Sequence, residues 1–156
     1  MHFIDTHAHV YAPELATDIE LVIKNAISAG IEKILMPAID SASLEAMLKV
    51  EQQFPDHCIA MMGLHPCYVK ENYKAELKLV EEWIAKRKFI AIGEIGLDYY
   101  WDKTFAKEQQ LVFETQMQWA LDMQLPIRRA ALRRRSRASM KLCCAQRSRI
   151  PAIRVI

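Results

Sequence analysis

The chain has 156 residues, 26% of them charged and 52% apolar on a broad count, with a formal net charge of +2. A chain of that length buries roughly 70% of its unfolded surface, so stability needs no disulfide or metal staple. No run of about 18 uninterrupted apolar residues is present to span a bilayer, and the first five residues lack the basic and apolar regions of a secretory signal. The four cysteines (Cys58, Cys67, Cys143 and Cys144) contain no CxxC spacing, so a reducing cytoplasm is the expected setting. The mild net charge hides an asymmetry. Residues 1–127 hold all 19 acids and 11 bases, a charge of −8, whereas residues 128–156 hold no acid and ten bases, a charge of +10.

Residues 3–6 form a short apolar run leading into His7-Ala8-His9. Thr17 and Glu20 have the spacing of a capping box, and Ile19, Val22, Ile23 and Ala26 follow at helical intervals up to Gly30, a natural helix stop. Residues 31–36 read as a buried strand ended by Pro37. Leu44, Met47 and Leu48 predict a helix closing near Phe54-Pro55. Residues 58–62 predict a third strand, before Gly63-Leu64-His65-Pro66, and Leu77, Val80 and Ile84 mark the helix after it. Lys86, Arg87 and Lys88 suit that helix's C-terminal turn, where the helix dipole favours cations. Residues 89–92 predict a fourth strand, followed by Gly93-Glu94-Ile95-Gly96-Leu97-Asp98. A longer helix carries Phe105, Gln109, Val112, Phe113, Met117, Ala120 and Leu121, and residues 125–127 open a fifth strand.

Four strand–helix units of about 30 residues predict an α/β fold with a parallel sheet, since parallel strands need covering crossover helices. The continuous apolar strands fit burial on both faces. An open doubly wound sheet and part of an eight-stranded barrel both accommodate the pattern, although no GxGxxG follows the first strand. In either architecture ligands gather at the carboxyl ends of the strands. Asp5, His7 and His9 follow strand one, His65 follows strand three, and Glu94 and Asp98 follow strand four. His7 and His9, two residues apart, can present both imidazoles to one ion. Glu94 shares the parity of Ile90 and Ile92 and can join the same interior. Two imidazoles and a carboxylate suit a divalent transition ion, which lowers the pKa of bound water and polarises a phosphoryl or carbonyl oxygen. His65 beside Pro66 suits either a turn or the site, and Asp98 reads as a turn residue. Tyr99, Tyr100 and Trp101 either stack on bases or cover the rim of the sheet.

The ordered segments Phe3-Ile4-Asp5-Thr6-His7-Ala8-His9, Gly63-Leu64-His65-Pro66 and Gly93-Glu94-Ile95-Gly96-Leu97-Asp98 closely resemble the TatD family of metal-dependent hydrolases in the amidohydrolase superfamily. The resemblance implies a TIM-type barrel, a two-metal site (zinc, manganese or magnesium) and deoxyribonuclease activity on DNA, typically removing nucleotides from a 3′ end. By position it makes His7 and His9 ligands of one metal, Glu94 the bridging carboxylate and His65 a residue near the substrate phosphate. Tyr11 departs from the family, which usually has Asp or Asn there. The family's fifth strand has His where this chain has Ala130 and Arg where it has Leu132. Ligands that the family draws from later strands, among them the Asp expected as general base, have no counterpart, since no histidine follows His65 and no acid follows Asp122. A barrel typically needs about 250 residues. The expectation is therefore a partial (β/α)8 barrel in residues 1–127, able to self-associate through unclosed edges, with impaired activity and no identifiable general base.

Residues 128–156 are expected to form an irregular or helical Arg-rich tail, with helix possible from 130 to 142. The tail reads either as a polyanion-binding arm or as a non-native continuation produced by a shifted reading frame, the preferred expectation because the change of composition interrupts a strand. The alternatives to DNA hydrolysis are hydrolysis of small esters or amides by the same residues, and non-catalytic nucleic-acid binding through the tail.

Overall fold

A computed structural model of the chain describes residues 2–130. Among these residues five short parallel strands follow one another in chain order. β1 (Phe3–Asp5) pairs with β2 (Ile31–Pro37), which pairs with β3 (Cys58–Met61). β4 (Ile92–Ile95) pairs with β5 (Ile127–Arg129). A parallel bridge between Met62 and Ile92 joins the two groups, supported by the Gly93 N–H donating to the Met62 carbonyl at 2.9 Å. The result among the described residues is an open arc of a barrel. Helices α1 (Pro13–Ala16), α2 (Ile19–Ser28), α3 (Ser41–Gln53), α4 (Tyr73–Lys86) and α5 (Ala106–Asp122) connect successive strands. No helix among the described residues is long and apolar enough to cross a membrane.

The predicted elements are present, with differences at their boundaries and caps. The short α1 was not anticipated, because Pro13-Glu14-Leu15-Ala16 is too brief to show a period. Its presence displaces the expected capping box: Thr17 has helical dihedrals as the C-cap of α1, and Asp18 is the N-cap of α2 without a side-chain hydrogen bond. A capping box does form at α3, where the Asp40 carboxylate accepts from the Ser43 N–H at 2.9 Å and the Ser43 hydroxyl accepts from the Asp40 N–H at 3.3 Å. Serine in place of the usual Glu or Gln at the third position made it hard to find from sequence.

The fourth strand begins three residues later than residues 89–92 suggest. Phe89 is buried beneath the Arg87 guanidinium, 4.6 Å from its ring centre, and Ile90 is 40% exposed. Ile92 is where partners become available on both sides: its N–H donates to the Pro126 carbonyl and it bridges to Met62. Glu94 therefore lies within β4 rather than beyond it. In α5 the buried stripe is Gln109, Val112, Phe113, Gln116, Met117 and Ala120, so Gln116 belongs to it and Leu121 does not. Beyond Ala130, whose N–H donates to the Ile95 carbonyl at 2.9 Å, the expected helix from 130 to 142 and the remainder of the tail lie outside the described residues. β5 itself runs through Arg128 and Arg129, across the expected boundary at 127.

Among the described residues the main apolar core lies between the strands and helices, with Phe113, Met36, Met47, Met62, Leu64 and Ile92 among its fully buried side chains, and a smaller separate cluster joins Leu35, Met61 and Ala91. β4 and β5 approach unusually closely at Gly93. A Cβ there would lie 2.5 Å from the Arg128 Cβ and 2.8 Å from its carbonyl oxygen, so glycine is what permits the pairing.

Candidate metal centre

The chain leaves β1 through a turn in which the Asp5 carboxylate accepts from the His7 N–H at 2.9 Å. This turn projects His7 and His9 side by side, with their Nε2 atoms 3.0 Å apart and rings edge to face. From β4, Glu94 reaches the same point. Its Oε2 lies 3.0 Å from His7 Nε2, 3.6 Å from His9 Nε2 and 3.8 Å from His65 Nε2. Only 3% of Glu94 is exposed. Burial alone would raise its carboxyl, but hydrogen bonding with His7 and His9 and the neighbouring His65 outweigh it and hold the group well below the usual carboxylate range.

Ligand atoms of His7, His9 and Glu94 lie within 4.8 Å of one another. Two imidazole nitrogens and a buried, ionised carboxylate fit one divalent ion. The outer hydrogen bond of His9 fits as well. Tyr11 donates its hydroxyl proton to the Pro37 carbonyl, so its oxygen accepts from His9 Nδ1–H at 2.8 Å. That bond leaves the His9 Nε2 lone pair facing the cluster, the form a metal ligand requires. Burial, then the charges of Asp40 and Glu94, push the Tyr11 phenol up, keeping it protonated.

His65 stands at the rim of this cluster and caps the 3-10 turn Pro66–Tyr68, its Nδ1 accepting from the Cys67 N–H at 3.1 Å. Burial pushes the imidazole below its usual value, only partly opposed by Glu94, so it is neutral at pH 7. Asp98 binds the surrounding loops together, accepting from the Tyr100 N–H at 2.8 Å and from the Cys67 thiol at 3.4 Å. Tyr100 and Trp101 are 58% and 70% exposed and stack edge to face at the surface.

Burial, then the Asp98 charge and hydrogen bond, push the Cys67 thiol up to about 11. At pH 8 only about a thousandth of it is then thiolate, the reactive form. Iodoacetamide labelling of Cys67, followed by peptide mapping, is expected to keep accelerating with pH to about 11. Asp98→Asn is expected to move that rise to lower pH; a plateau near pH 9 in the unaltered chain would contradict this.

Sequence reasoning gave three groups here no role in the site. Two are buried glutamines of α5: Gln116 accepts from the Leu64 N–H at 2.7 Å and donates to the Leu64 carbonyl at 3.2 Å, while Gln109 accepts from the Asp98 N–H at 2.9 Å. They hold the loops carrying His65 and Asp98. The third is Arg128, assigned to the tail, whose Nη2 lies 2.6 Å from His7 Nδ1. Parity could have found it, because Arg128 precedes by two the position at which the resemblance places an inward histidine.

The family described as TatD related DNase matches residues 4–128. The chain belongs to this TatD family. Among curated relatives, the metal-dependent hydrolase YabD of Bacillus subtilis is 35% identical over 123 residues, covering 79% of this chain and 48% of YabD. The 3'-5' ssDNA/RNA exonuclease TatD of Erwinia tasmaniensis is 26% identical, over 79% of this chain and 48% of the relative. The crystal structure of the TatD homologue YjjV from Escherichia coli superimposes with a TM-score of 0.80 at 29% identity, over 91% of this chain and 55% of that one. The chain thus spans about half the length of the TatD relatives it matches, and its open arc corresponds to part of their barrel.

Proposed function

We propose that the described residues carry one half of a phosphodiesterase site of the TatD type, with nucleic acid as substrate. His7 and His9 would hold one divalent ion (zinc, manganese or magnesium), and Glu94 would be the carboxylate shared with a second. The observation that carries this reading is the convergence of two imidazoles on a buried, ionised carboxylate. The TatD relative named as a ssDNA/RNA exonuclease supports the choice of substrate. When bound, such an ion supplies Lewis acidity toward a phosphoryl oxygen and acidifies a water molecule. The protein's own groups orient the site: Tyr11 sets the His9 ring, and His65, neutral and capping its turn, presents Nε2–H toward a substrate phosphate. Ala130 and Leu132 stand where the family has His and Arg, so catalysis is impaired relative to a full set of ligands. The free thiols of Cys58 and Cys67 accord with a reducing, cytoplasmic setting, and the exposed Phe3 and Ile4 on β1 supply an apolar edge for self-association.

Manganese binding measured by calorimetry on the full chain tests the centre. His9→Ala and Glu94→Gln are each expected to weaken binding at least about tenfold. Indifference to both substitutions would remove the ligand assignment.

A further inference from the structure

Hydrogen-bond polarity gives the two histidines of the centre opposite tautomers. A guanidinium only donates, so His7 Nδ1, 2.6 Å from Arg128 Nη2, must carry a lone pair. The ring proton of neutral His7 is then on Nε2, facing Glu94 Oε2 and His9 Nε2, each at 3.0 Å. His9 is the reverse, with its proton on Nδ1 toward Tyr11 and its Nε2 lone pair facing inward. A histidine that ligates through Nε2 normally donates Nδ1–H to an outer acceptor. His9 meets that requirement, and His7 meets a cation instead.

We infer that Arg128 is a built-in antagonist of metal binding, holding metal-free His7 in the tautomer whose Nε2 carries the proton and placing a permanent positive charge against the ring. The inference rests on His7, His9 and Glu94 being the metal centre proposed above. The backbone that carries Arg128 is fixed in place. The residue's Cβ and carbonyl pack against Gly93, where not even a methyl group would fit, and its Nη1 donates to the Arg129 carbonyl at 3.2 Å. A divalent ion seated on His7 Nε2 must displace the ring proton and break the contact with Arg128, while facing a like charge across one imidazole. Among the described residues, the cluster is therefore held together by hydrogen bonds that metal binding would have to dismantle. An apolar side chain at position 128 would free the ring to shift its proton to Nδ1.

The test uses the full chain and its Arg128→Met and Arg128→Lys variants, read two ways. Long-range proton–nitrogen correlation of the histidine rings in metal-free protein, with His7→Gln assigning the signal, is expected to find the His7 proton on Nε2. Arg128→Met is expected to move it to Nδ1, and Arg128→Lys, which keeps a donating cation, to leave it on Nε2. Manganese and zinc calorimetry is expected to show binding tightened about 10–100-fold in Arg128→Met, the gain being abolished by adding His9→Ala. A His7 proton on Nδ1 in the unaltered chain would overturn the inference, even if Arg128→Met failed to fold. A folded Arg128→Met chain with unchanged metal affinity would overturn the antagonism. Failure of the centre itself reads out separately, as indifference of the unaltered chain to His9→Ala and Glu94→Gln.

Discussion

Replacing Gln116 by leucine is expected to destabilise the protein by about 2–5 kcal/mol, despite a near match in volume. The glutamine is fully buried, and its amide satisfies both backbone groups of Leu64. Leucine leaves a donor and an acceptor without partners inside the core, each costing about 1–3 kcal/mol. Urea unfolding of the full chain gives the stability change, and a loss below about 1 kcal/mol would mean that the loop finds other partners. The same substitution frees the turn that positions His65 next to Glu94, so local exchange protection at residues 63–67 should fall in the folded variant. Few mutations in the fold would couple stability and site geometry so directly.

Phe113→Ala is the second large effect, at about 3–5 kcal/mol. Phe113 is fully buried on the inner face of α5 and lies within the main core. Truncation removes its transfer free energy and leaves a cavity that close-packed neighbours fill incompletely. Phe113→Leu retains most of the volume and is expected to lose less than about half as much. Equal losses for the two, measured by denaturant midpoints with unchanged slopes, would contradict a packing origin. Metal affinity of the folded Phe113→Leu chain should match that of the unaltered protein, because the substitution keeps the core apolar and changes no charge or ligand atom.

Elements with a strong period were legible in the sequence. The stripe Gln109, Val112, Phe113, Met117, Ala120 announces α5, and the unbroken apolar runs announce β2 and β3. The order of polar groups after successive strands brought His7, His9, His65 and Glu94 into view before any coordinate. Local boundaries depended on partners that a sequence window does not contain. β4 starts at Ile92 because Met62 and Pro126 are there to pair with it, and Thr17 is no cap because α1 occupies its backbone. Polarity was the deeper difficulty. Gln116 interrupts an apolar stripe and looks like a surface residue, yet its partner is the backbone of a loop 52 residues away. Arg128 was hidden by composition: nine arginines after residue 127 invite one description for all of them, whereas pleating turns this one toward the site.

The succession of the strands bears on the order in which the molecule assembles. Paired positions in neighbouring strands are between 24 and 35 residues apart, so each unit can add to the previous one across a loop of modest closure entropy. The contact between His7 and Arg128 spans 121 residues and awaits β5. His7, His9 and Glu94 lie on the turn after β1 and on β4, which joins the first three strands through the Met62–Ile92 bridge. The His7–Arg128 contact therefore depends on the fifth strand, whereas the contacts of His7 with Asp5, His9 and Glu94 draw only on β1 and β4 and the turn after β1.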